Sequence, residues 1–176
     1  HPADAMKAGI GLITEDRRGN GIFGCLSIKD NVGVSIYNKH LKAGFVLDHK
    51  TINGIVDDSI KKLRIKTPNM QEHIANLSGG NQQKVIVARW LANDPDILIM
   101  DEPTRGIDVG AKHEIYEIMN DLAAEGKAII MISSEMAELL GMSDRVYVMC
   151  NGKMRGELTE ENEMTQEHVM SYATKF

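Results

Sequence analysis

Residues 97–104 read Ile-Leu-Ile-Met-Asp-Glu-Pro-Thr. Four consecutive apolar residues bounded by Pro95 and Pro103 predict a strand at 97–100 that is buried on both faces. Two carboxylates, Asp101 and Glu102, follow at its carboxyl end, which is the edge where open parallel sheets bind ligands. Because neighbouring side chains point in different directions, one carboxylate can hold Mg²⁺ through water while the other orients or deprotonates an attacking water. Taken alone, such a pair more often only faces solvent.

A second informative segment covers residues 77–84 and reads Leu-Ser-Gly-Gly-Asn-Gln-Gln-Lys. It places one hydroxyl, Ser78, and two glycines, Gly79 and Gly80, at the start of a predicted helix. The unpaired N–H groups and the dipole at a helix start attract anions, and glycine lets the backbone approach phosphate oxygens closely. We therefore expect a phosphate contact here. The alternative for Ser-Gly-Gly alone is an ordinary helix N-cap with no ligand.

The surrounding pattern predicts the fold class. Helical segments alternate with short apolar ones, which indicates an α/β domain with a mainly parallel sheet covered by helices. Besides residues 97–100, the predicted strands are 10–14, 128–132, 145–150 and 153–158. The last two are joined by Asn151-Gly152, a strong hairpin signal that predicts an antiparallel edge. Residues 28–76 are predicted to be mostly helical, starting from the capping-box spacing of Ser27 and Asp30.

Composition excludes several classes of protein. The formal net charge is -5, and the basic residues are scattered among acidic ones, so no basic stripe is available for nucleic acid. Two cysteines, Cys25 and Cys150, lack the spacing of a metal site, a redox pair or a disulfide framework, which favours a reducing cytoplasm. The apolar runs are far shorter than the roughly 20 residues that cross a bilayer, so membrane contact is expected to be peripheral.

Together and in this order, the two segments resemble the signature and Walker B motifs of ATP-binding cassette (ABC) ATPases. Gly106-Ile107-Asp108 resembles the D-loop that follows them. Residues 77–85 and 101–112 are similar to the second cassette of monosaccharide importers, and residues 15–18, 65–68 and 133–136 strengthen this likeness. Within that group the chain most resembles importers of galactose and methyl galactosides. The resemblance implies a P-loop NTPase-like ABC core with a mainly parallel sheet. It assigns residues 28–76 to a helical subdomain and residues 77–176 to the part that carries the signature, Walker B and D-loop.

The same resemblance implies that the complete protein is an ATPase with ATP and Mg²⁺ as cofactors. It also implies a role for each residue that matches the family's motifs. Glu102 is expected to be catalytic, Asp101 to hold Mg²⁺ through water, and Asp108 to contact the opposite cassette. The residues expected to cover the terminal phosphate of ATP held by that partner cassette are Ser78, Gly79, Gly80, Asn81 and Gln82.

Three departures from the family predict a degenerate, N-terminally truncated cassette. A phosphate loop needs Gly-x-x-x-x-Gly-Lys followed by Ser or Thr, and neither Gly126-Lys127 nor Gly152-Lys153 fits. Glu15 stands at the Q-loop position, where its charge would repel phosphate, and Ser134 stands at the switch-histidine position. Without a phosphate loop, ATP loses about three charge-assisted hydrogen bonds, which together contribute about 5–9 kcal/mol of binding free energy. The whole binding free energy of a micromolar ligand is only about 8 kcal/mol. We therefore expect this chain alone to bind ATP weakly and not to hydrolyse it.

The expected partners are the N-terminal cassette of the same protein, the membrane permease subunits and, indirectly, a periplasmic sugar-binding protein. These partners predict that the protein lies at the cytoplasmic face of the bacterial inner membrane. A nucleic-acid partner is not expected. Two alternatives stay open: a nucleic-acid-handling or translation-associated ABC ATPase, and a non-catalytic ABC interaction module with a vestigial Glu102. The first needs a long coiled coil or basic surfaces, for which the segment between Glu15 and Leu77 is too short and the charge too acidic.

Overall fold

The computed structural model describes residues 1–160 and 163–174, and the chain divides into two compact units, His1–Ile132 and Ser133–Phe176. This division falls after Ile132. The predicted separation of a helical subregion, 28–76, from residues 77–176 stays a prediction. No helix of the described ranges is both long and apolar enough to cross a membrane.

The first unit contains five helices, three short helical turns and five strands among its described residues. In chain order they are α1 (Pro2–Lys7), β1 (Ile10–Ile13), a π-helical turn (Arg17–Gly21), α2 (Ile28–Gly33), a 3₁₀ turn (Tyr37–Lys39), β2 (Leu41–Lys42), β3 (Val46–Leu47), α3 (His49–Lys62), a 3₁₀ turn (Ile74–Asn76), α4 (Gly79–Leu91), β4 (Ile97–Asp101), α5 (Val109–Ala124) and β5 (Ala128–Ile132). Within residues 28–76, which were predicted to be mostly helical, α2 begins directly after Ser27 as predicted, and the longer helix α3 follows.

A parallel sheet in the order β1-β4-β5 forms the centre of this unit. Ile13 pairs with Met100, and Met100 pairs with Met131, so the three strands run side by side with their carboxyl ends together. The predicted parallel sheet with helical cover is confirmed. Helix α4 lies against the sheet, and Trp90 packs next to Gly11, where an added Cβ would come within 3.4 Å of the indole.

The prediction that strand 97–100 is buried on both faces is wrong. Leu98 and Met100 are 1% and 0% exposed, whereas Ile97 and Ile99 are only half-buried. Neighbouring strands show the same alternation, since Ile130 and Ile132 on that other face are 52% and 49% exposed. The difference arises because α4 covers only the face that carries Leu98 and Met100.

Helix α4 is buried along nearly its whole length, and its interior carries charged side chains. Arg89 is 8% exposed and donates to the carbonyl of Asn31 at 2.6 Å, to the carbonyl of Gly21 at 2.7 Å and to the side-chain oxygen of Asn31 at 2.8 Å. Its guanidinium also lies 5.1 Å from the ring centroid of Phe23. Burial lowers the pKa of Arg89 to about 10. These bonds fasten α2 and the turn before it to the core of α4.

The second unit contains α6 (Met136–Met142), the antiparallel hairpin β6 (Val146–Cys150) and β7 (Lys153–Leu158), and α7 (Gln166–Ala173). The predicted hairpin is confirmed, because Asn151 and Gly152 adopt φ values of 50° and 71°, the left-handed pair that a tight hairpin turn requires. The prediction that it forms an antiparallel edge of the parallel sheet is wrong, because β6 and β7 pair only with each other as a separate two-stranded sheet among the described residues. A core of Val146, Val148, Leu158 and Val169 joins the hairpin to α7. Gly156 is required there, since an added Cβ would lie 2.5 Å from Tyr172.

Candidate functional site: the tip of helix α4 and the end of strand β4

The carboxylate pair lies at the carboxyl end of β4, as predicted. Asp101 is the last residue of the strand, pairs with Ile132 of β5 and is half-buried. Glu102 leaves the strand with φ 47°, and its amide donates to the carbonyl of Ile132 at 2.9 Å. A left-handed glutamate is strained by about 1–3 kcal/mol, which neighbouring structure must offset and which is common at functional sites. The turn separates the two carboxylates onto different backbone directions.

Within residues 1–160 and 163–174, no group of three or more histidine, cysteine, aspartate or glutamate side chains forms a metal cluster. Magnesium in nucleotide sites is usually held by one or two carboxylates together with phosphate oxygens and water. A half-buried Asp101 at a strand end fits that mode of binding. Its role as a Mg²⁺ ligand stays a prediction.

The tip of α4 presents Ser78 to solvent. Ser78 is the N-cap residue, is exposed, and makes no hydrogen bond from its side chain to the first amides of the helix. Its Oγ accepts from Nδ2 of Asn81 at 2.9 Å. The side-chain oxygen of Asn81 accepts from the backbone amide of Lys66 at 2.8 Å. The predicted phosphate-binding segment therefore carries an exposed hydroxyl at the start of a helix whose body is buried.

Gln82, predicted to contact the nucleotide, lies inside the fold. It is 7% exposed, and its Nε2 donates to the carbonyls of Ile74 and Leu77 at 3.2 and 3.1 Å. This places its side chain behind the tip, where it fixes the loop that leads into α4. Direct contact between Gln82 and a nucleotide stays a prediction that this position does not favour.

The two signature glycines have packing roles that the sequence did not indicate. A Cβ on Gly80 would lie 2.4 Å from the Cβ of Ala111 on α5, so only glycine lets the two helices approach this closely. A Cβ on Gly79 would lie 3.0 Å from Nη2 of Arg17 and 3.4 Å from the carbonyl oxygen of Gly106. The tip of α4 thus lies against both the segment after β1 and the D-loop segment.

The segment after β1 is tied to the D-loop by two contacts in opposite directions. Glu15 forms an ion pair with Arg105, so the structure gives the predicted phosphate-repelling carboxylate a cationic partner. In return, Arg17 donates to the carbonyls of Arg105 and Gly106 at 3.3 and 3.4 Å. Burial lowers the pKa of Arg17, and the adjacent charge of Arg18 lowers it further. The repulsion of phosphate by Glu15 stays a prediction.

Asp108 is the N-cap of α5. Its Oδ1 accepts from the amide of Ala111 at 2.9 Å, which satisfies one of the free donors at the helix start. Because Ala111 also packs against Gly80, this cap holds α5 in contact with the tip of α4. A contact of Asp108 with an opposite cassette stays a prediction.

An ion pair between a buried lysine and a half-buried glutamate next to the tip was missed by sequence reasoning. Lys84 has a side chain that is 2% exposed, and its Nζ lies 2.7 Å from Oε2 of Glu114 on α5 and 3.1 Å from the carbonyl of Arg64. The hydrogen bond from Lys84 is the main reason that the pKa of Glu114 lies below its usual value. The only sequence signal was a lysine directly before the apolar run of α4.

Ser134 belongs to the second unit, where it is exposed and precedes α6 by two residues. The neighbouring Ser133 donates to Oε2 of Glu138 at 2.5 Å and accepts from the amide of Glu135 at 3.0 Å, which shapes the start of this helix. The structure thus brings together Glu15, the tip of α4, the end of β4 and the D-loop within the first unit. The role of Ser134 at a switch position stays a prediction.

Comparison with known protein families gives one match that covers more than half of the chain. Residues 2–105 match the family described as ABC transporter. The chain belongs to the ABC transporter family. This confirms the resemblance predicted from the signature and Walker B segments, both of which lie inside the matched range.

Similar proteins in the family are named as sugar import proteins. The chain is 54% identical over 175 residues to the galactose/methyl galactoside import ATP-binding protein MglA of Clostridium tetani, covering 99% of this chain and 34% of that protein. It is 53% identical over 173 residues to the ribose import ATP-binding protein RbsA of Oceanobacillus iheyensis, covering 98% of this chain and 34% of that protein. The chain thus spans about a third of the length of the curated relatives it matches.

Solved structures confirm the fold. An ATP-binding cassette of an ABC transporter superposes with a TM-score of 0.79 at 21% identity, covering 98% of this chain and 71% of that chain. The protein cbiO1 from Clostridium perfringens, part of an ABC transporter complex, gives a TM-score of 0.74 at 23% identity over 94% of this chain and 62% of that chain. The predicted ABC ATPase core is therefore correct.

Proposed function

We propose that this chain is the downstream part of an ATP-binding subunit of a sugar importer, and that the complete protein couples ATP binding and hydrolysis to monosaccharide uptake. The proposal is supported by relatives above 50% identity whose names specify sugar import and ATP binding. Their names specify different sugars, galactose or methyl galactoside in one and ribose in the other. We favour galactose or methyl galactoside because, among monosaccharide importers, the sequence as a whole most resembles that group.

The role assigned to this chain is to supply its signature tip to ATP held by a partner cassette. The observation that carries this role is the exposed hydroxyl of Ser78 at the start of a helix whose body is buried. No phosphate-loop motif occurs in these 176 residues, so the groups present fit a contact to phosphate and not a cradle for a whole nucleotide. The helix start adds free amides and a partial positive charge to the hydroxyl donor.

Glu102 is the proposed general base or water-orienting residue, and Asp101 the proposed Mg²⁺ ligand through water. Magnesium supplies charge neutralisation on the transferred phosphoryl group when it is bound. The left-handed turn at Glu102 gives these adjacent carboxylates separate directions, which suits a division of labour. The proposed partners are a first cassette in the same protein, permease subunits in the membrane and, through them, a sugar-binding protein. This places the protein on the cytoplasmic side of the membrane.

The role of the signature tip can be tested in the complete protein assembled with its permease. Ser78→Arg places a large cation where the hydroxyl would meet phosphate, and we expect it to abolish sugar-stimulated ATP turnover and transport. Ser171→Arg is the matched control, because Ser171 is exposed on α7 in the second unit. If Ser78→Arg retained full turnover and transport, the proposed function of this segment would be wrong.

The catalytic role of Glu102 needs a separate experiment, because a tandem protein has two composite sites. Glu102→Gln removes the carboxylate charge and keeps the size of the side chain. Turnover measured with the other site inactivated is expected to fall about a hundredfold or more, as is usual for loss of a general base. Unchanged turnover at this site would identify Glu102 as vestigial and favour a non-catalytic cassette.

A further inference from the structure

The N-cap residue of α4 uses its hydroxyl in an unusual way. An N-cap serine normally accepts a hydrogen bond from the second or third amide of its helix. Ser78 makes no such bond, and its Oγ accepts instead from the side-chain amide of Asn81 at 2.9 Å. A serine hydroxyl has one proton to donate and two lone pairs to accept with. Across residues 1–160 and 163–174, no hydrogen bond is donated by the Ser78 hydroxyl to another residue, and the side chain is exposed.

The orientation of the Asn81 amide is fixed from its other end. Its Oδ1 lies 2.8 Å from the backbone nitrogen of Lys66. A backbone N–H can only donate, so the atom facing it must be the amide oxygen and cannot be the amide nitrogen. The NH₂ group then faces Ser78. Because an NH₂ group can only donate, the Ser78 oxygen must accept from it, and the Ser78 proton is turned away towards solvent.

Lys66 is itself held in place. It follows Ile65, which is 5% exposed and whose amide donates to the carbonyl of Ile60 in α3 at 2.9 Å. The ammonium group of Lys66 lies 3.5 Å from Oε1 of Glu114, the same carboxylate that pairs with the buried Lys84. The amide that orients Asn81 therefore belongs to a backbone segment anchored between α3 and α5.

We propose that Asn81 is a positioning residue that makes Ser78 a hydrogen-bond donor towards an oxyanion. The chain of hydrogen bonds runs from the Lys66 amide through the Asn81 side chain to the Ser78 hydroxyl. In each of these bonds only one assignment of donor and acceptor is possible. A phosphate oxygen can only accept, so a hydroxyl fixed as a donor suits it without reorientation on binding. This inference rests on the proposed function, because it concerns how the signature tip meets phosphate. It assigns Asn81 a role through Ser78 in place of a direct contact with the nucleotide.

The connection also joins two parts of the chain. Any displacement of the segment after α3 moves the Lys66 amide and so changes the donor that Ser78 offers. ATP turnover at the composite site therefore depends on the position of residues 63–67. The two residues that connect this segment to the tip, Lys66 and Asn81, are fifteen positions apart in the chain.

A double-mutant cycle in the complete protein assembled with its permease tests this role. The variants are Ser78→Ala, Asn81→Leu and the double substitution, with kcat and KM for ATP as readouts. Loss of a hydrogen bond to a charged group corresponds to a fall of about tenfold or more in kcat/KM, and we expect this for each single variant. If Asn81 acts through Ser78, the double variant falls no further than Ser78→Ala, within about twofold.

Two further variants sharpen the cycle. Asn81→Asp keeps the acceptor for the Lys66 amide but replaces the donor with an oxygen, so the Ser78 proton is drawn inward and turnover falls at least as far as in Asn81→Leu. Asn76→Leu is the control, because Asn76 is exposed, lies two residues before Ser78, and has a side chain that bonds only to Glu72 among the described residues. It is expected to keep turnover within about twofold of the unmodified protein.

The possible outcomes separate this inference from the proposed function. Losses that multiply in the double variant would overturn the inference, since they would mean that Asn81 contacts the nucleotide independently. Normal turnover in Asn81→Leu together with low turnover in Ser78→Ala would also overturn it and leave the proposed function standing. Normal turnover in Ser78→Ala would overturn both. Hydrogen exchange at the Lys66 amide, expected to accelerate in Asn81→Leu and not in Ser78→Ala, checks the anchor without any nucleotide, and no acceleration would remove it.

Discussion

The two parts of helix α4 use polar residues in opposite ways. In the body, Lys84 and Arg89 are 1% and 8% exposed, and each charged group is satisfied by carboxylate or carbonyl oxygens of neighbouring elements. At the tip, Ser78 is exposed and keeps a proton that no described residue accepts. The body therefore contributes to stability, because its polar groups are satisfied inside the fold. The tip contributes to function, because its polar group is oriented but still available to a ligand.

The largest expected effect is on the stability of the body. Arg89→Ala leaves the carbonyls of Asn31 and Gly21 and the side-chain oxygen of Asn31 without their donor, and each buried acceptor left unsatisfied costs about 1–3 kcal/mol. We therefore expect the unfolding free energy to fall by about 3 kcal/mol or more. Urea unfolding followed by circular dichroism measures this cost. Arg18→Ala, an exposed neighbour of Arg17, is the control and is expected to change the unfolding free energy by about 0.5 kcal/mol or less. A loss below about 1 kcal/mol in Arg89→Ala would remove the distinction between body and tip.

The tip should respond in the reverse manner. Ser78→Ala is expected to lower ATP turnover of the complete protein about tenfold through the lost hydrogen bond to phosphate. Its unfolding free energy should change by about 0.5 kcal/mol or less, because Ser78 is exposed and its side chain makes no hydrogen bond to the first amides of the helix. Parallel measurement of turnover and urea unfolding checks both parts. A stability loss as large as that of Arg89→Ala would show that the tip is structural.

The ion pair between Lys84 in the body of α4 and Glu114 on α5 can be tested through the pH dependence of the unfolding free energy. The pKa of Glu114 is lowered in the folded state, mainly by its hydrogen bond from Lys84. Its carboxylate therefore contributes stability that is present above the ordinary value of 4.5 and lost as the pH falls through the lowered folded value. At neutral pH we expect the unmodified chain to have a larger unfolding free energy than Glu114→Gln. This difference should shrink as the pH is lowered below 4.5, where the carboxylate of Glu114 begins to be protonated in the unfolded state and then in the folded state.

Glu117→Gln provides the matched control for this titration. Glu117 also lies on α5, and it pairs with Arg64 at 3.2 Å where the arginine side chain is 76% exposed. Such an exposed pair contributes little, so this variant should lie close to the unmodified chain at neutral pH. A difference between the unmodified chain and Glu114→Gln that grows on acidification would contradict the assignment.

The smallest expected effect concerns the contact between the segment after β1 and the D-loop. Glu15 and Arg105 are about half exposed, with side chains 47% and 64% accessible, so their pair should contribute roughly 0.2–1 kcal/mol. A double-mutant cycle of Glu15→Gln and Arg105→Gln measures this coupling by urea unfolding. High salt should reduce it, since exposed charges are screened. A coupling well above 1 kcal/mol, or one unaffected by salt, would place this pair with the buried network of α4.

Much of the fold followed from local patterns. The apolar run before Asp101 predicted β4, Asn151-Gly152 predicted the hairpin between β6 and β7, and Ser27 with Asp30 predicted the start of α2. Each of these is set by residues close in the chain, because turns, caps and strand ends depend on the backbone conformations that neighbouring side chains permit. The family followed from the combination of two such segments in a fixed order.

Contacts between distant residues were outside the reach of these patterns. No sequence pattern pairs Lys84 with Glu114, Arg17 with the carbonyls of Arg105 and Gly106, or Asn81 with the amide of Lys66. It also assigned the signature glycines to phosphate approach, whereas Gly80 is required by the Cβ of Ala111. These contacts depend on how helices and loops pack, and a residue type at one position does not reveal its neighbour from another element.

By itself, the sequence determined the order of the strands and helices and the chemical groups at the end of β4 and the start of α4. Only the tertiary structure decided which of those groups are buried, which are paired and which remain available. The physical reason is that a hydroxyl or a charge has the same chemistry wherever it occurs in the chain. Its use depends on solvent and on the donors and acceptors that folding places within hydrogen-bonding distance.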